Sequence, residues 1–598
     1  MYKGKGDTND PSNYRGITLL SCIGKIFTSL ISKRIHKYVE DFQLLGEEQA
    51  GFRPNHSTID HIFVLYALIN IYTKKTKKKL YCTFIDYAKA FDTVPRMHLW
   101  SKLLGTQING KVLNVIKKMY DSAKSYIRHN NTSSGTFRCE LGVRQGEHLS
   151  PLLFALYLND LENFLSKAYN GLQLTCDLIQ EFNQTDDLVT YLKLFVILYA
   201  DDTVVLAEDA QELQAALNGM YHYCQLWKLH INISKTKTIV FGSRKSTKNV
   251  NKPTFRLGDK EIDMVDDYTY LGVLFRKNGS MTPGIKKLKD QASRAMYSLL
   301  GKSRKLGLDI DIQVQLFDCL IIPIVTYGSE VWGCQNFNII EQLHLQFCKT
   351  ILRVNRSTTN CMVYGELGRV PLSYNVEIKM LNFWYRLAWS EHNNKLSCIM
   401  YRVLYNMDSK LVYHCEWIKK IKEILTKSNL YDMLWNQQGS NTYTYVAFKN
   451  IAKKNLKAYY ADQWRENVEN SSKCFFYKEY KTELAMEKYL MSLNYNSRTY
   501  LTKLRVSNHK LPIELGRHQD VAKIDRICTF CNKYDIGDEY HYMFICKKFD
   551  DIRNKQLPKN CLKCPSVQKY CDLMKSNNNK LLQKLSSMAK LIIKSFEN

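Results

Sequence analysis

The feature that most constrains this chain is a pair of adjacent acidic residues, Asp201 and Asp202, set between two apolar runs. Residues 194–207 read Leu-Phe-Val-Ile-Leu-Tyr-Ala-Asp-Asp-Thr-Val-Val-Leu-Ala, rich in β-branched and aromatic side chains. The pattern predicts strand, tight turn and strand, with both carboxylates presented at the turn. Neighbouring carboxylates repel, and each favours neutrality as it leaves water. A divalent cation is the commonest reason to hold them together. A solvated Asp-Asp turn is the alternative while the pair is considered alone.

A further carboxylate joins the pair. Residues 81–86, Tyr-Cys-Thr-Phe-Ile-Asp, predict a strand ending on Asp86 and passing into a turn and a helix. Carboxylates from adjacent strands of one sheet can hold two magnesium ions about 3.5–4 Å apart, a geometry suited to in-line phosphoryl displacement. Between these strands lies Gly142-Val-Arg144-Gln145-Gly146, a glycine-punctuated loop ahead of a strongly apolar helix over 152–165. Its flanking glycines would let Gln145 approach a nucleotide closely.

With 598 residues the chain exceeds one core, and 45% apolar content with 12% aromatics places it among globular proteins. Lys and Arg total 85 against 57 Asp and Glu, a net charge of +28 spread along the whole length. That excess points to a polyanionic partner, nucleic acid before membrane. No apolar run approaches the ~20 residues needed to span a bilayer, and the polar start has no signal-peptide core. The 18 cysteines form no regular framework. They read as reduced thiols of an intracellular protein, nuclear or cytoplasmic.

Along the chain, helices are expected over 23–39, 59–72, 108–124, 152–165 and 210–229, the second capped by Ser57 or Thr58 with Asp60. Residues 74–79 form a basic loop, 125–139 a polar hairpin and 167–190 a polar insertion; 268–275 reads as one strand carrying a glycine. Beyond Pro283 the pattern turns helical, over 285–300, 312–327, 340–352 and 375–470. Lys286, Lys287, Lys289 and Arg294 fall on or near one face of the first of these helices, suited to tracking a nucleic-acid backbone. Near the end, Cys528-x2-Cys531-x9-His541-x4-Cys546 has knuckle-like zinc spacing. Cys561-x2-Cys564 could instead pair with the first two cysteines in a four-cysteine site.

Together these segments resemble the reverse transcriptases of non-LTR retrotransposons, the jockey-like lineage. Residues 84–92, Phe-Ile-Asp-Tyr-Ala-Lys-Ala-Phe-Asp, resemble motif A, and Gly142 to Gly146 followed by Ser150-Pro151 resembles motif B. Tyr199-Ala-Asp201-Asp202 resembles motif C, Asn232-Ile-Ser-Lys235-Thr motif D, and Tyr270-Leu271-Gly272 the primer-gripping motif E. Asn13-Tyr-Arg15-Gly-Ile-Thr-Leu-Leu and Gln49-Ala-Gly-Phe-Arg53 resemble fingers motifs.

The resemblance implies an RNA-directed DNA polymerase working on an RNA template, a DNA primer or target and dNTPs. Asp86, Asp201 and Asp202 would carry two Mg2+ ions, with Asp202 the weaker ligand. Phe91 would exclude a ribose 2′-hydroxyl, and Gln145 with Gly146 would approach the nucleotide. Arg53, with Arg15 and Arg144, would neutralise the triphosphate, and Lys235, with Lys237 as a rival, would protonate pyrophosphate. The cysteine-histidine segment resembles one that ends many such polymerases and implies structural Zn2+ and nucleic-acid binding. The implied fold is α+β, a right hand with fingers and palm over 1–282 and a helical thumb over 283–400. A helical basic connector over 401–510, the zinc-knuckle-like segment over 511–560 and a helical tail over 561–598 follow. Relatives usually carry an endonuclease ahead of the fingers, and the short lead-in here implies a polymerase without one. The rivals are a catalytically silent nucleic-acid-binding remnant and an RNA-dependent RNA polymerase, which Phe91 and the Tyr-Ala lead into the aspartates disfavour.

Overall fold

The strand expected to end on Asp86, β1 (Leu80–Ile85), lies inside a six-stranded sheet. Around it run β2 (Val196–Tyr199), β3 (Asp202–Ala207), β4 (Lys237–Phe241), β5 (Phe255–Leu257) and β6 (Lys260–Met264). The order is β5-β6-β4-β1-β3-β2, antiparallel except for β4 with β6. The structure is a computed structural model, described here for all residues except 1, 3, 5, 15, 130–131, 175–191, 243–252, 336, 390–393, 436–442, 532–533 and 598. Arg15 and most of the polar insertion lie outside the described residues.

The chain divides into two units, residues 1–284 with 385–419, and residues 285–384 with 420–598. In the first unit, alternation along β1 separates the faces of the sheet. Tyr81 and Ile85 join Val205, Ala207, Val196 and Leu198 in the main core. That core is closed by helices Arg96–Gly105, Gly110–Asp121, Ser150–Tyr157 and Ala210–Leu226. Phe84 points the other way, stacked on Tyr268 at 4.3 Å and close to Tyr270 at 5.6 Å.

These tyrosines belong to a hairpin, β7 (Asp267–Tyr270) and β8 (Val273–Arg276), where the sequence predicts one strand. The break is at Leu271 and Gly272, with φ of 46° and 82°. Two successive left-handed residues make the tight turn whose twist matches paired strands. The glycine therefore serves a reversal rather than a close approach within one strand.

The helix Thr58–Asn70 is capped as expected. Asp60 Oδ2 accepts from the Ser57 N–H at 2.7 Å and its hydroxyl at 2.8 Å. This helix is apolar on every side, and such a helix must be covered on every side. Part of the cover is the returning segment 385–419. Ser397 Oγ donates to Asp60 Oδ1 at 3.0 Å, Tyr413 donates to Asn70 Oδ1 at 3.3 Å, and Trp417 packs 5.0 Å from Phe63. The expected boundary at 400 falls inside the helix Leu396–Ser409 of this segment.

The second unit is helical and centres on a buried ion pair. Arg505 donates from Nε and Nη2 to Glu366 at 3.0 Å, lies 3.1 Å from Glu487, and gives a further bond to the Met574 carbonyl at 2.6 Å. Tyr480 and Tyr489 lie within 4.8 and 5.2 Å of its guanidinium. Glu366 is wholly buried, so removal of the arginine strands a carboxylate away from water. Arg505→Met is expected to cost about 3–5 kcal/mol in denaturant unfolding. Adding Glu366→Gln should recover part of that loss, because an amide needs no counter-charge.

Candidate active site

Asp86 follows the last residue of β1, and its neighbours hold its backbone from both sides. Its N–H donates to Thr236 Oγ1 at 3.2 Å, and its carbonyl accepts from the Asn232 N–H at 2.7 Å. Ala88 adds a bond to the His230 carbonyl at 2.7 Å. The 230–236 segment thus grips the strand end. From it Lys235 reaches back, its ammonium 3.3 Å from Asp86 Oδ2. Lys237, the rival in sequence, points away and pairs with Asp263. Of the two lysines, Lys235 is the one at the aspartates.

Asp201 and Asp202 arrive on the β2–β3 hairpin, whose paired ends are Tyr199 and Asp202. Ala200 takes φ of 59°, a left-handed conformation that costs a non-glycine residue roughly 1–3 kcal/mol. Its N–H is held by Gln49 Oε1 at 3.1 Å, which also accepts from the Gly51 N–H at 2.9 Å. A Cβ on Gly51 would stand 2.2 Å from the Ala200 nitrogen. Only a glycine lets the 46–53 loop lie against the turn. Gln49 and Gly51 are visible in the sequence as part of a fingers motif, but their grip on the acidic turn is not.

Register brings the carboxylates to one face. Ile85 pairs with Thr203, so the next antiparallel positions are Asp86 and Asp202, on the Phe84 face and away from the main core. Water reaches Asp202 at the mouth of the turn, while the surrounding chain strips part of its hydration. That desolvation, with repulsion from Asp201 and Asp86, pushes its carboxyl up to about 6. The same charge, after burial, raises the hydroxyls of Tyr268 and Tyr270. This donor set, all carboxylate and mutually repelling, suits a hard divalent cation.

The residues expected around the nucleotide divide into two groups. Gly146, at φ 107°, brings the 142–146 loop against the segment around Thr18, whose N–H donates to the Gln145 carbonyl at 2.8 Å. A Cβ on Gly146 would meet the Thr18 oxygen at 2.7 Å. Gln145 is half-buried, and Phe91 stacks on Phe154 at 4.9 Å.

Arg53 and Arg144, expected on a triphosphate, are engaged elsewhere. Arg53 is buried, paired with Glu40 at 3.0 Å and Glu47 at 3.1 Å, and bonded to the Gly46 and Gln49 carbonyls. Arg144 donates to the Met119 carbonyl at 2.7 Å and lies over Tyr120 at 5.0 Å. A guanidinium with several oriented donors is held by whichever fixed acceptors surround it. Here those acceptors belong to the fold.

In the second unit Cys528, Cys531, His541 and Cys546 come together, with all their ligand atoms within 4.8 Å of one another. Cys528 and Cys546 sulfurs are 3.8 Å apart, and Cys531 Sγ is 3.5 Å from His541 Nε2. The Phe530 N–H donates to Cys528 Sγ at 3.4 Å, and Asp535 Oδ2 lies 3.5 Å from His541 Nδ1. Cys561 and Cys564 stay outside the group, so the alternative four-cysteine pairing does not form.

The carboxyl of Asp202 makes stability depend on pH in a defined direction. With a folded value near 6 and an ordinary value of 3.8, its ionisation opposes folding. The penalty is absent below about pH 4, grows between about 4 and 6, and is complete above. Without divalent cations, Asp202→Asn is expected to melt higher than the parent at neutral pH, the difference vanishing by about pH 4 in thermal scans.

Residues 3–275 match the family model described as reverse transcriptase (RNA-dependent DNA polymerase). The chain is 27% identical over 376 residues to a probable RNA-directed DNA polymerase from transposon BS of Drosophila melanogaster, covering 61% of this chain and 38% of that protein. It is 25% identical over 352 residues to the RNA-directed DNA polymerase from mobile element jockey of Drosophila funebris, covering 58% and 36%. The chain thus spans little more than a third of the length of these relatives. A Candida tropicalis telomerase structure with a telomeric RNA fragment aligns over 70% of this chain and 57% of that one, at 12% identity. Its TM-score is 0.32, too low to carry an argument. Over residues 3–275 the chain is similar to the reverse transcriptase family, and the relatives it resembles are RNA-directed DNA polymerases of mobile elements.

Proposed function

We propose that the chain is the RNA-directed DNA polymerase of a non-LTR retrotransposon, extending a DNA primer 3′-hydroxyl with dNTPs on an RNA template. The observation that carries this reading is the register that sets Asp86 against Asp202, with Asp201 in the adjoining turn. These carboxylates would hold two magnesium ions. The chemistry such ions supply when bound is activation of the 3′-hydroxyl and neutralisation of charge at the α-phosphate and the leaving pyrophosphate.

The chain's own groups do the rest. Asp86 and Asp202 share one face, with Asp201 in the adjoining turn, despite mutual repulsion, because strand pairing and the Gln49 bond hold the backbone. Lys235, exposed beside Asp86, can give a proton to pyrophosphate as it departs. Phe91, braced by Phe154, can turn its ring edge against a ribose 2′-hydroxyl and favour deoxynucleotides. Gln145 and Gly146 lie on the loop that would meet the nucleotide sugar and base, and the turn of Tyr270, Leu271 and Gly272 would support the primer.

In the larger organisation we read residues 1–282 as fingers and palm of a right-hand fold and 283–400 as a helical thumb, of which 385–400 fall in the first unit. Lys286, Lys287 and Arg294 are exposed on the helix Thr282–Leu306, as backbone contacts require. Residues 401–510 are a basic connector, 511–560 a zinc-knuckle-like segment and 561–598 a helical tail. The Cys528, Cys531, His541 and Cys546 donor set fits structural zinc. No helix among the described residues is long and apolar enough to cross a membrane.

Primer extension on poly(rA)·oligo(dT) with dTTP and Mg2+ tests the reading. Extension by the purified chain is expected, with a loss of about 10²–10³-fold or more for Asp201→Ala. No extension by the parent would leave a silent nucleic-acid-binding remnant. For the second site, bound zinc is expected to fall from about one ion per chain to near none in Cys531→Ser, measured by elemental analysis. Unchanged content would remove that site.

A further inference from the structure

We propose that a cavity in the second unit, beside the cysteine-histidine cluster, binds a nucleoside phosphate, either free or at the end of a strand. It encloses about 330 Å3, within the range of small-ligand sites. Its walls pair the two chemistries that such a ligand carries, a flat ring and an anion.

One wall is aromatic, formed by Phe475, Phe476, Tyr477, Tyr480 and Tyr570. The rings brace one another edge to face, Phe476 with Tyr570 at 5.3 Å, Tyr477 with Tyr480 at 5.4 Å and Phe475 with Phe476 at 5.0 Å. Phe475 remains 53% exposed, and the Lys523 ammonium covers one side of its ring. Base-on-aromatic stacking is how proteins hold single nucleotides without regard to sequence.

The other wall is cationic, with Lys473, Arg517, Lys523 and Arg526. The local acids leave this charge only partly balanced. Glu514 serves both Lys473 at 3.4 Å and Arg517 at 3.2 Å, while Glu539 is taken by His509 at 2.9 Å and Ser507 at 2.7 Å. Arg526 donates to the Val521 and Ile513 carbonyls. Lys523 holds its ammonium 4.1 Å from the centre of the Phe475 ring, so charge and stacking surface are adjacent. Arg517 Nε is buried and has no hydrogen-bond partner among the described residues. Its Nη1 donates to Ser472 Oγ at 3.3 Å, which fixes this guanidinium at the cavity wall.

The cavity also touches the metal-ligand turn. Asp538 lines it, and Asp538 Oδ1 accepts from the His541 N–H at 2.8 Å. A ligand seated here would therefore press on the segment that carries His541. The proposal is independent of the polymerase site, and failure of either leaves the other standing.

The test uses the full chain in magnesium-free buffer with three probes: 5′-AMP, a 5′-phosphorylated trinucleotide carrying 4-thiouridine, and inorganic phosphate. On irradiation the trinucleotide should cross-link to peptides covering residues 475–480. Phe475→Ala with Lys523→Gln, both at the mouth, should weaken cross-linking by about tenfold while melting temperature and primer extension stay unchanged. Competition by 5′-AMP as strong as by the unlabelled trinucleotide assigns a free nucleotide; competition by the trinucleotide alone assigns a strand end. Cross-links confined to other segments, an undiminished signal in the double variant, or inorganic phosphate competing as well as 5′-AMP would each overturn the proposal.

Discussion

The antiparallel pairing of β1 with β3 is the constraint on which the rest of the site depends. It carries Asp86 and Asp202 to the same face and leaves Asp201 in the turn between β3 and β2. A slip of one residue would move Asp86 to the side of Tyr81 and Ile85, among the packed helices. The register is held from the other flank too, where the buried hydroxyls of Thr83 on β1 and Thr238 on β4 meet at 2.8 Å. Repulsion among the carboxylates is therefore borne by strand pairing and core packing. Desolvation, and after it repulsion from Asp201 and Asp86, raises the carboxyl of Asp202.

Much of this was legible in the sequence because it is local. Strand, turn and strand around the acidic pair follow from alternation and composition, and the cap on the second helix follows from Ser57 and Asp60. The cysteine-histidine spacing is also local, and it converges as spaced. What escaped the sequence is direction and distance. An arginine in a motif announces a charge, but not that Glu40, thirteen positions away, will take it. The apolar helix Thr58–Asn70 announces that it must be covered, but its partner Ser397 lies 337 positions further on. The hairpin at 267–276 was hidden because Leu271 is an unlikely left-handed residue, and the glycine beside it carried the only cue.

The two units also differ in how they handle buried charge. In the first, Asp86 and Asp202 lie on an accessible face, where a cation and a substrate could meet them. The second buries Glu366 and surrounds it with donors, Arg505 and Tyr489, so that the charge organises packing instead of chemistry. Burial with full compensation gives a structural ion pair, whereas partial burial without compensation leaves a site with an appetite for a counter-ion. On that physical distinction, Asp202 and Glu366 carry opposite meanings although both are acids crowded by protein.

The case of Arg53 sharpens the point. Its guanidinium ties Glu40 and Glu47 to the Gly46 and Gln49 carbonyls and so sets the path of the 46–53 loop. From that loop Gln49 Oε1 holds the Ala200 N–H, and Gly51 clears the space in which the acidic turn sits. Arg53 is thus linked to the Asp201–Asp202 turn through the 46–53 loop and Gln49. Loss of the arginine would let the loop relax, release a left-handed alanine from its only side-chain tether described here, and misplace both carboxylates together. Dependence of the reaction on Arg53 would follow equally from triphosphate binding and from this scaffold. Its ion pairs with Glu40 and Glu47 show the guanidinium built into the 46–53 loop.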